Sequence, residues 1–217
     1  VSYLKKNYKT NLNRYEISNK LKLSEKNFID LNNHAKRIGI DFLTTPCGLK
    51  SLNFITNVLK VPFIKIGSSE LNNYTYLAEV AKKQKIIFLS TGMSKLNEVE
   101  KAFRVIKKYN FKKLYILQCT SEYPCPSNNL NLDVLKIYKN KFKNCGFSDH
   151  SLGFEASLLS IGYGARVLEK HFTLSKKLQG PDHKASLNPK ELREYVTHIR
   201  KAELMIGNKE KKPTKKE

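Results

Sequence analysis

Gly146-Phe147-Ser148-Asp149-His150-Ser151 and Arg166-Val167-Leu168-Glu169-Lys170-His171-Phe172 are two short apolar runs, each ending abruptly in polar residues and a histidine. The stretch from Gly153 to Gly162 between them reads as helical, so the whole segment is a strand, a helix and a strand. Strands joined by a helical crossover lie side by side and parallel. A parallel strand leaving a buried core delivers its last side chains to one edge of the sheet. His150 and His171 are therefore expected on one rim. A single histidine after an apolar run is more often structural than a ligand. Two that converge leave coordination positions open for water and substrate, as a catalytic metal requires and a closed structural one does not.

The same order of apolar run, polar tip and amphipathic helix recurs along the chain. The runs are Asp41-Phe42-Leu43-Thr44-Thr45, Phe63-Ile64-Lys65-Ile66-Gly67, Ile86-Ile87-Phe88-Leu89-Ser90, Leu114-Tyr115-Ile116-Leu117-Gln118, Cys145-Gly146-Phe147 and Val167-Leu168-Glu169. Phe28, Leu31, Ala35 and Ile38 step by three and four before the first run, and Leu96, Val99, Phe103 and Ile106 do so after the third, which predicts helical stripes. Ser24 and Ser94 are candidate N-caps. Asn188, Pro189 and Glu191 predict the start of a last helix, and Gly207 its end.

Alternation of this kind predicts an α/β protein with a parallel sheet, either open and doubly wound or closed as a barrel. Polar residues follow all six runs, and a barrel sends every strand's C-terminal end to one face. An open sheet concentrates its site near one switch point. The expected fold is thus a TIM (β/α)8 barrel, incomplete here, with the six runs as strands three to eight and the first two strands missing. Residues 1–207 are expected to form this partial barrel domain. Residues 208–217, Lys-rich and broken by Pro213, are expected to be a solvated linker.

A chain of 217 residues with 40% hydrophobic content can build one sizeable core. No apolar run approaches the length needed to cross a bilayer and no signal pattern opens the sequence, so a cytoplasmic location without membrane contact is expected. Cys47, Cys119, Cys125 and Cys145 lack metal-binding or redox spacing and are expected as core or strand-end thiols. The net charge of +21 invites a nucleic-acid reading. The lysines are spread over helix faces, however, and no stacking platform or recognition-helix pattern accompanies them. Abundant Lys, Asn, Ile, Tyr and Phe together suggest an AT-rich coding sequence, and nucleic acid is not an expected partner.

Lys65-Ile66-Gly67-Ser68-Ser69-Glu70-Leu71-Asn72-Asn73, Leu89-Ser90-Thr91-Gly92-Met93, Gln118-Cys119-Thr120-Ser121-Glu122-Tyr123-Pro124, Phe147-Ser148-Asp149-His150, Glu169-Lys170-His171-Phe172-Thr173 and Gly180-Pro181-Asp182-His183-Lys184-Ala185-Ser186-Leu187 stand in one order. Together they resemble the sialic acid (N-acetylneuraminate) synthase family, which includes legionaminate and pseudaminate synthases. The resemblance implies a transferase on a TIM barrel that condenses phosphoenolpyruvate with an N-acylated amino sugar, typically N-acetylmannosamine, and water, giving a sialic acid and phosphate. It also implies a divalent metal, manganese with magnesium or cobalt as alternatives. A C-terminal antifreeze-like domain, absent here, would reach into the partner's site in a domain-swapped homodimer.

Phosphoenolpyruvate carries a carboxylate and a phosphate, and its site needs cationic and hydroxyl donors. Lys65, Ser68, Ser90 and Ser148, with Thr45 before Pro46, are such donors at strand ends, and by resemblance they hold this substrate. Lys65 lies inside an apolar run, where its charge needs an anion or a structural salt bridge. Glu70, Tyr123 and Asp182 fit the sugar side by type and by resemblance, with Glu70 also handling protons. Glu70 has an alternative as a cap of the helix beginning near Thr75, and Tyr123 as a loop-packing residue. His150 and His171 are the expected metal ligands and, with Glu70, the expected catalytic set. Asp149 is expected either to orient a ligand or to cap the helix that follows. Ser121 departs from members with Asn at this place, which leaves the sugar substituents open. A diacetamido sugar and an inactive fragment are the alternatives, and these residues alone are expected to show little activity.

Overall fold

The computed structural model describes residues 13–207 and 210–217. The first twelve residues of the expected barrel domain and the first two of the expected linker lie outside the described residues.

Among the described residues five strands form one parallel sheet: β1 (Phe63–Ile66), β2 (Ile86–Ser90), β3 (Leu114–Cys119), β4 (Cys145–Asp149) and β5 (Leu168–Lys170). Their order in the sheet is their order in the chain, with every neighbouring pair parallel. A doubly wound sheet reverses its strand order at a switch point. Sequential order is that of a barrel, and the sheet is a curled half-barrel. The helices are α1 (Arg14–Leu21), α2 (Glu25–Ile38), α3 (Leu49–Asn53, continued by a π-helical turn to Val58), α4 (Tyr74–Lys82), α5 (Leu96–Tyr109), α6 (Val134–Phe142), α7 (Glu155–Gly162) and α8 (Pro189–Ile206).

The strand count corrects the sequence expectation of six. Asp41–Thr45 has no regular secondary structure and pairs with no strand among the described residues. Its residues alternate between exposed and half-exposed, the period of a strand without a ladder to complete it. Apolar alternation gives an extended backbone, but a strand exists only where another supplies hydrogen bonds. At the other end the Val167-Leu168-Glu169 run forms its ladder one residue later, through Lys170.

Side chains alternate along each strand between the helix side and the concave side of the sheet. Ile64, Ile66, Ile87, Leu89, Ile116 and Phe147 are fully buried against the helices, each contributing about 1.5–3 kcal/mol by leaving water. The alternate residues Phe63, Phe88 and Tyr115 share the concave face, their rings 5.7 Å and 5.4 Å apart. Lys65, Ser90 and Ser148 belong to that same face further along the strands, and all line one cleft.

Helix signals were legible in part. Ser24 caps α2 and Asn188 caps α8, each in a reciprocal capping box, with Pro189 in the first turn of α8. Ser94 does not cap α5: the N-cap is Lys95, whose backbone N–H donates to Glu98, while the Ser94 hydroxyl donates to the Gly92 carbonyl. In α2, Leu31 and Ile38 are exposed, and the buried face is Asn32 and Ala35 with Phe28 packed beside it. Asn32 displaces Leu31 because its side-chain amide donates to the Leu59 carbonyl, a buried bond that leucine lacks. All four cysteines are free thiols, with Cys119, Cys125 and Cys145 buried and Cys47 exposed. No helix among the described residues is long and apolar enough to cross a membrane.

Candidate active site

The C-terminal ends of β1 to β5 and their following loops surround a cleft of about 460 Å³. Lys65, Ser68, Ser90, Tyr123, Ser148, His150 and His171 line it, joined by Ser121, Cys119, Met93 and Glu169. This is the strand end at which barrel folds carry their chemistry.

His150 follows β4 and His171 follows β5, and their rings lie 5.3 Å apart at 83°. The Tyr123 ring packs against both, at 4.0 Å and 5.4 Å. Nδ1 of His150 is 2.7 Å from the Thr120 carbonyl oxygen. A carbonyl only accepts, so Nδ1 donates and the ring's lone pair sits on Nε2. Burial pushes this imidazole below its ordinary value, aided by neighbouring His171 and opposed by the Thr120 hydrogen bond. At pH 7 it is neutral. His171 is more open and has Nδ1 3.7 Å from Asp182 Oδ2. Two imidazoles, one fixed as a neutral donor from Nδ1, suit a borderline divalent cation. Among the described residues no group of three or more His, Cys, Asp or Glu is arranged around a metal position, so the pair offers two protein ligands.

Lys65 is buried on the concave side of β1. Its ammonium donates to the Ile66 carbonyl at 3.1 Å and lies 3.6 Å from Glu169 Oε1. The same carboxylate oxygen accepts the Ser148 hydroxyl at 2.6 Å. Two donors on different strands therefore share one acidic partner, the structural salt bridge that the sequence left open for Lys65. Ser68 accepts the Gly92 N–H at 2.9 Å. The Ser90 hydroxyl is buried with no hydrogen-bond partner among the described residues, a cost that a ligand oxygen at this position would remove.

Three expected site residues do not line the cleft. Glu70 sits in a short 3-10 turn after β1 and accepts the Asn73 side-chain amide at 2.9 Å; Asn73, not Glu70, caps α4, and Glu70 braces that cap. Thr45 stands beside the rim, its methyl 4.0 Å from where a Cβ on Gly67 would lie. Asp182 reaches the site through His171, and its Oδ1 is buried without a hydrogen-bond partner among the described residues. Asp182 arrives there because the loop after β5 returns on itself through an isolated bridge, Phe172 to Leu187.

Asp149 is neither a cleft residue nor a simple helix cap. It points to the helix side, where Oδ2 pairs with Lys170 at 2.9 Å and accepts the Ser157 hydroxyl at 2.6 Å. Glu169 was missed as a site residue, although two charged residues directly before His171 are unusual at a strand end and were the available signal. Cys119 gave none. Its buried thiol is raised by desolvation and lies 3.9 Å from His150 Nδ1, a proximity that only the packing of β3 against β4 creates.

The fold and the cleft define an α/β half-barrel with its polar site at the strand ends, the layout of a barrel enzyme. The chain belongs to the NeuB family, whose profile matches residues 1–211. It is 44% identical over 201 residues to an N,N'-diacetyllegionaminic acid synthase of Campylobacter jejuni, covering 91% of this chain and 60% of that protein. An uncharacterized protein of Methanocaldococcus jannaschii is 43% identical over 200 residues, 92% of this chain and 59% of that one. The crystal structure of the N-acetylneuraminic acid (sialic acid) synthetase from Leptospira borgpetersenii superposes with a TM-score of 0.89 at 30% identity, covering 97% of this chain and 75% of that one. The chain thus spans about three fifths of the length of the curated relatives.

Proposed function

We propose that the protein to which this chain belongs is a carbon–carbon bond-forming transferase that condenses phosphoenolpyruvate with N-acetylmannosamine and water, giving N-acetylneuraminate and phosphate. The observation that supports it is the convergence of Lys65, Ser68, Ser90, Ser148, His150 and His171 in one cleft. That set combines donors for a doubly anionic small molecule with two ligands for a cation.

His150 and His171 would hold a divalent metal, manganese by family resemblance with magnesium or cobalt as alternatives. When bound, it supplies Lewis-acid polarisation of a carbonyl oxygen. Lys65, Ser90 and Ser148 hold the carboxylate and phosphate of phosphoenolpyruvate, with Ser68 and Thr45 on the same side. Its nucleophilic carbon bonds to the aldehyde carbon of the open-chain sugar. Water adds to the adjacent carbon, and the tetrahedral centre expels phosphate as its carbonyl forms. Tyr123 and Asp182 face the sugar, and Glu70 manages protons after moving from its Asn73 contact. Two copies of the complete protein, each closing the other's cleft, complete the site, and residues from 208 onward lead toward that closing domain.

A second reading is a diacetamido sugar as acceptor, giving legionaminate. The 44% identity to a legionaminic acid synthase supports it, and Ser121, which departs from members with Asn at this place, leaves the sugar substituents open to either reading. The complete protein would be incubated with phosphoenolpyruvate, Mn2+ and each sugar, with phosphate release and product mass followed. Turnover of N-acetylmannosamine above its diacetamido analogues supports the first reading, and the reverse order transfers it to the second. No phosphate release with any amino sugar would sink both.

A further inference from the structure

The histidine pair His150 and His171 is flanked, on the opposite face of the same two strands, by the most deeply buried ion pair among the described residues. Asp149 and Lys170 are register partners in the β4–β5 ladder. Their side chains are 0% and 5% exposed and meet at 2.9 Å. Each precedes a histidine in sequence, and strand alternation sends one side chain of each couple to the helices and the next to the cleft.

The contacts around the pair bracket His150 on both sides. Asp149 Oδ1 accepts both the backbone N–H and the hydroxyl of Ser151, at 2.8 Å and 2.6 Å. Lys170 donates to the Ser151 carbonyl at 2.6 Å. The residue after His150 is thus held at its N–H, its carbonyl and its side chain. Asp149 Oδ2 also accepts Ser157 in α7, whose hydroxyl accepts Tyr195 of α8 at 2.9 Å. One hydrogen-bonded chain links two helices and two strand tips behind the histidines.

A buried ion pair contributes little net stability, because desolvation offsets the attraction, and apolar replacements of like volume are often neutral. What such a pair supplies is geometry. Strand β5 is three half-buried residues long, too short for its ladder alone to fix His171 against His150. We propose that the Asp149–Lys170 pair, anchored through Ser157 to Tyr195, is a positioning lock that sets the separation and orientation of His150 and His171 for one shared divalent cation. The inference rests on the reading of these histidines as metal ligands.

The test uses the complete protein and Mn2+ itself, with affinity measured by electron paramagnetic resonance of free Mn2+, the visible spectrum of Co2+ at the site, and thermal stability. The variants are Asp149→Asn/Lys170→Met, which keeps volume and leaves no lone charge, and His150→Ala as a reference. The lock predicts that the double variant keeps its melting temperature within a few degrees, binds Mn2+ at least tenfold more weakly and alters the Co2+ spectrum, an effect of the size that lost orienting partners have at metal sites. Wild-type Mn2+ affinity in a folded double variant, with binding lost in His150→Ala, overturns the lock and leaves the metal reading intact. Wild-type affinity in His150→Ala overturns both. Should the double variant not fold, Ser157→Ala removes one Asp149 hydrogen bond together with the Tyr195 link and leaves the ion pair in place. Mn2+ binding weakened at least threefold then supports the lock, and unchanged binding overturns it.

Discussion

Lys65 shows how one position can carry two demands. Its ammonium is buried and already opposed by Glu169, yet it lines the cleft beside Ser90 and Ser148. In the complete protein Lys65→Met keeps the stem's packing and removes the charge. We expect the apparent affinity for phosphoenolpyruvate to fall at least tenfold, about 1.4 kcal/mol, at fixed sugar and metal. Unchanged affinity would confine Lys65 to its ion pair with Glu169. His150 gives a pH signature in the metal-free protein. Burial lowers its folded-state pKa below the ordinary 6.5, so the unfolded chain takes up the proton first as pH falls. The resulting stability is full above pH 6.5 and is lost as pH drops through the lowered folded value. His150→Gln should flatten that part of the curve of unfolding midpoint against pH. An unaltered slope would place the titration elsewhere.

Among the elements, β4 depends on close approach and α8 on its cap. A Cβ on Gly146 would lie 2.5 Å from the Val167 carbonyl oxygen and 2.6 Å from Leu117 Cδ2. The backbone of the neighbouring strand cannot yield as a side-chain tip can. Gly146→Ala should therefore cost about 1–3 kcal/mol in denaturant unfolding, and a neutral result would mean that β4 and β5 are looser than described. Asn188 accepts the Glu191 N–H at 3.0 Å while Glu191 accepts the Asn188 N–H at 2.9 Å. Asn188→Ala is expected to cost about 1 kcal/mol, seen as a lower midpoint with the slope unchanged. These starts and stops were readable because a cap is a local matter of three or four residues. Ser94 misled for a related reason: Lys95 and Glu98 close the same turn through backbone donors, which any residue provides.

For the whole molecule the consequence is an arc rather than a closed barrel. Strands β1 and β5 each have one unpaired side among the described residues, and Phe63, Phe88 and Tyr115 face the concavity only half-buried. Open ladders and apolar concavities favour association. The 217 residues expressed alone are expected to self-associate in light scattering and to release no measurable phosphate from phosphoenolpyruvate, in contrast to the complete protein. A monodisperse monomer with full turnover would show that this arc is sufficient.

The sequence by itself determined the alternation of strand and helix, the parallel sheet, the polar strand tips and the pairing of His150 with His171. All of these follow from period and order, which a linear chain carries. It did not determine which extended run finds a partner: Asp41–Thr45 has the pattern of a strand and no ladder. Nor did it show that Glu169 is shared by Lys65 and Ser148, that Glu70 turns to Asn73, or that Asp149 points away from the cleft to Lys170. Those outcomes depend on which face each side chain takes and what stands across the ladder. Such contacts join residues up to about a hundred positions apart in sequence, as with Lys65 and Glu169, and only the packed sheet brings them within hydrogen-bonding reach.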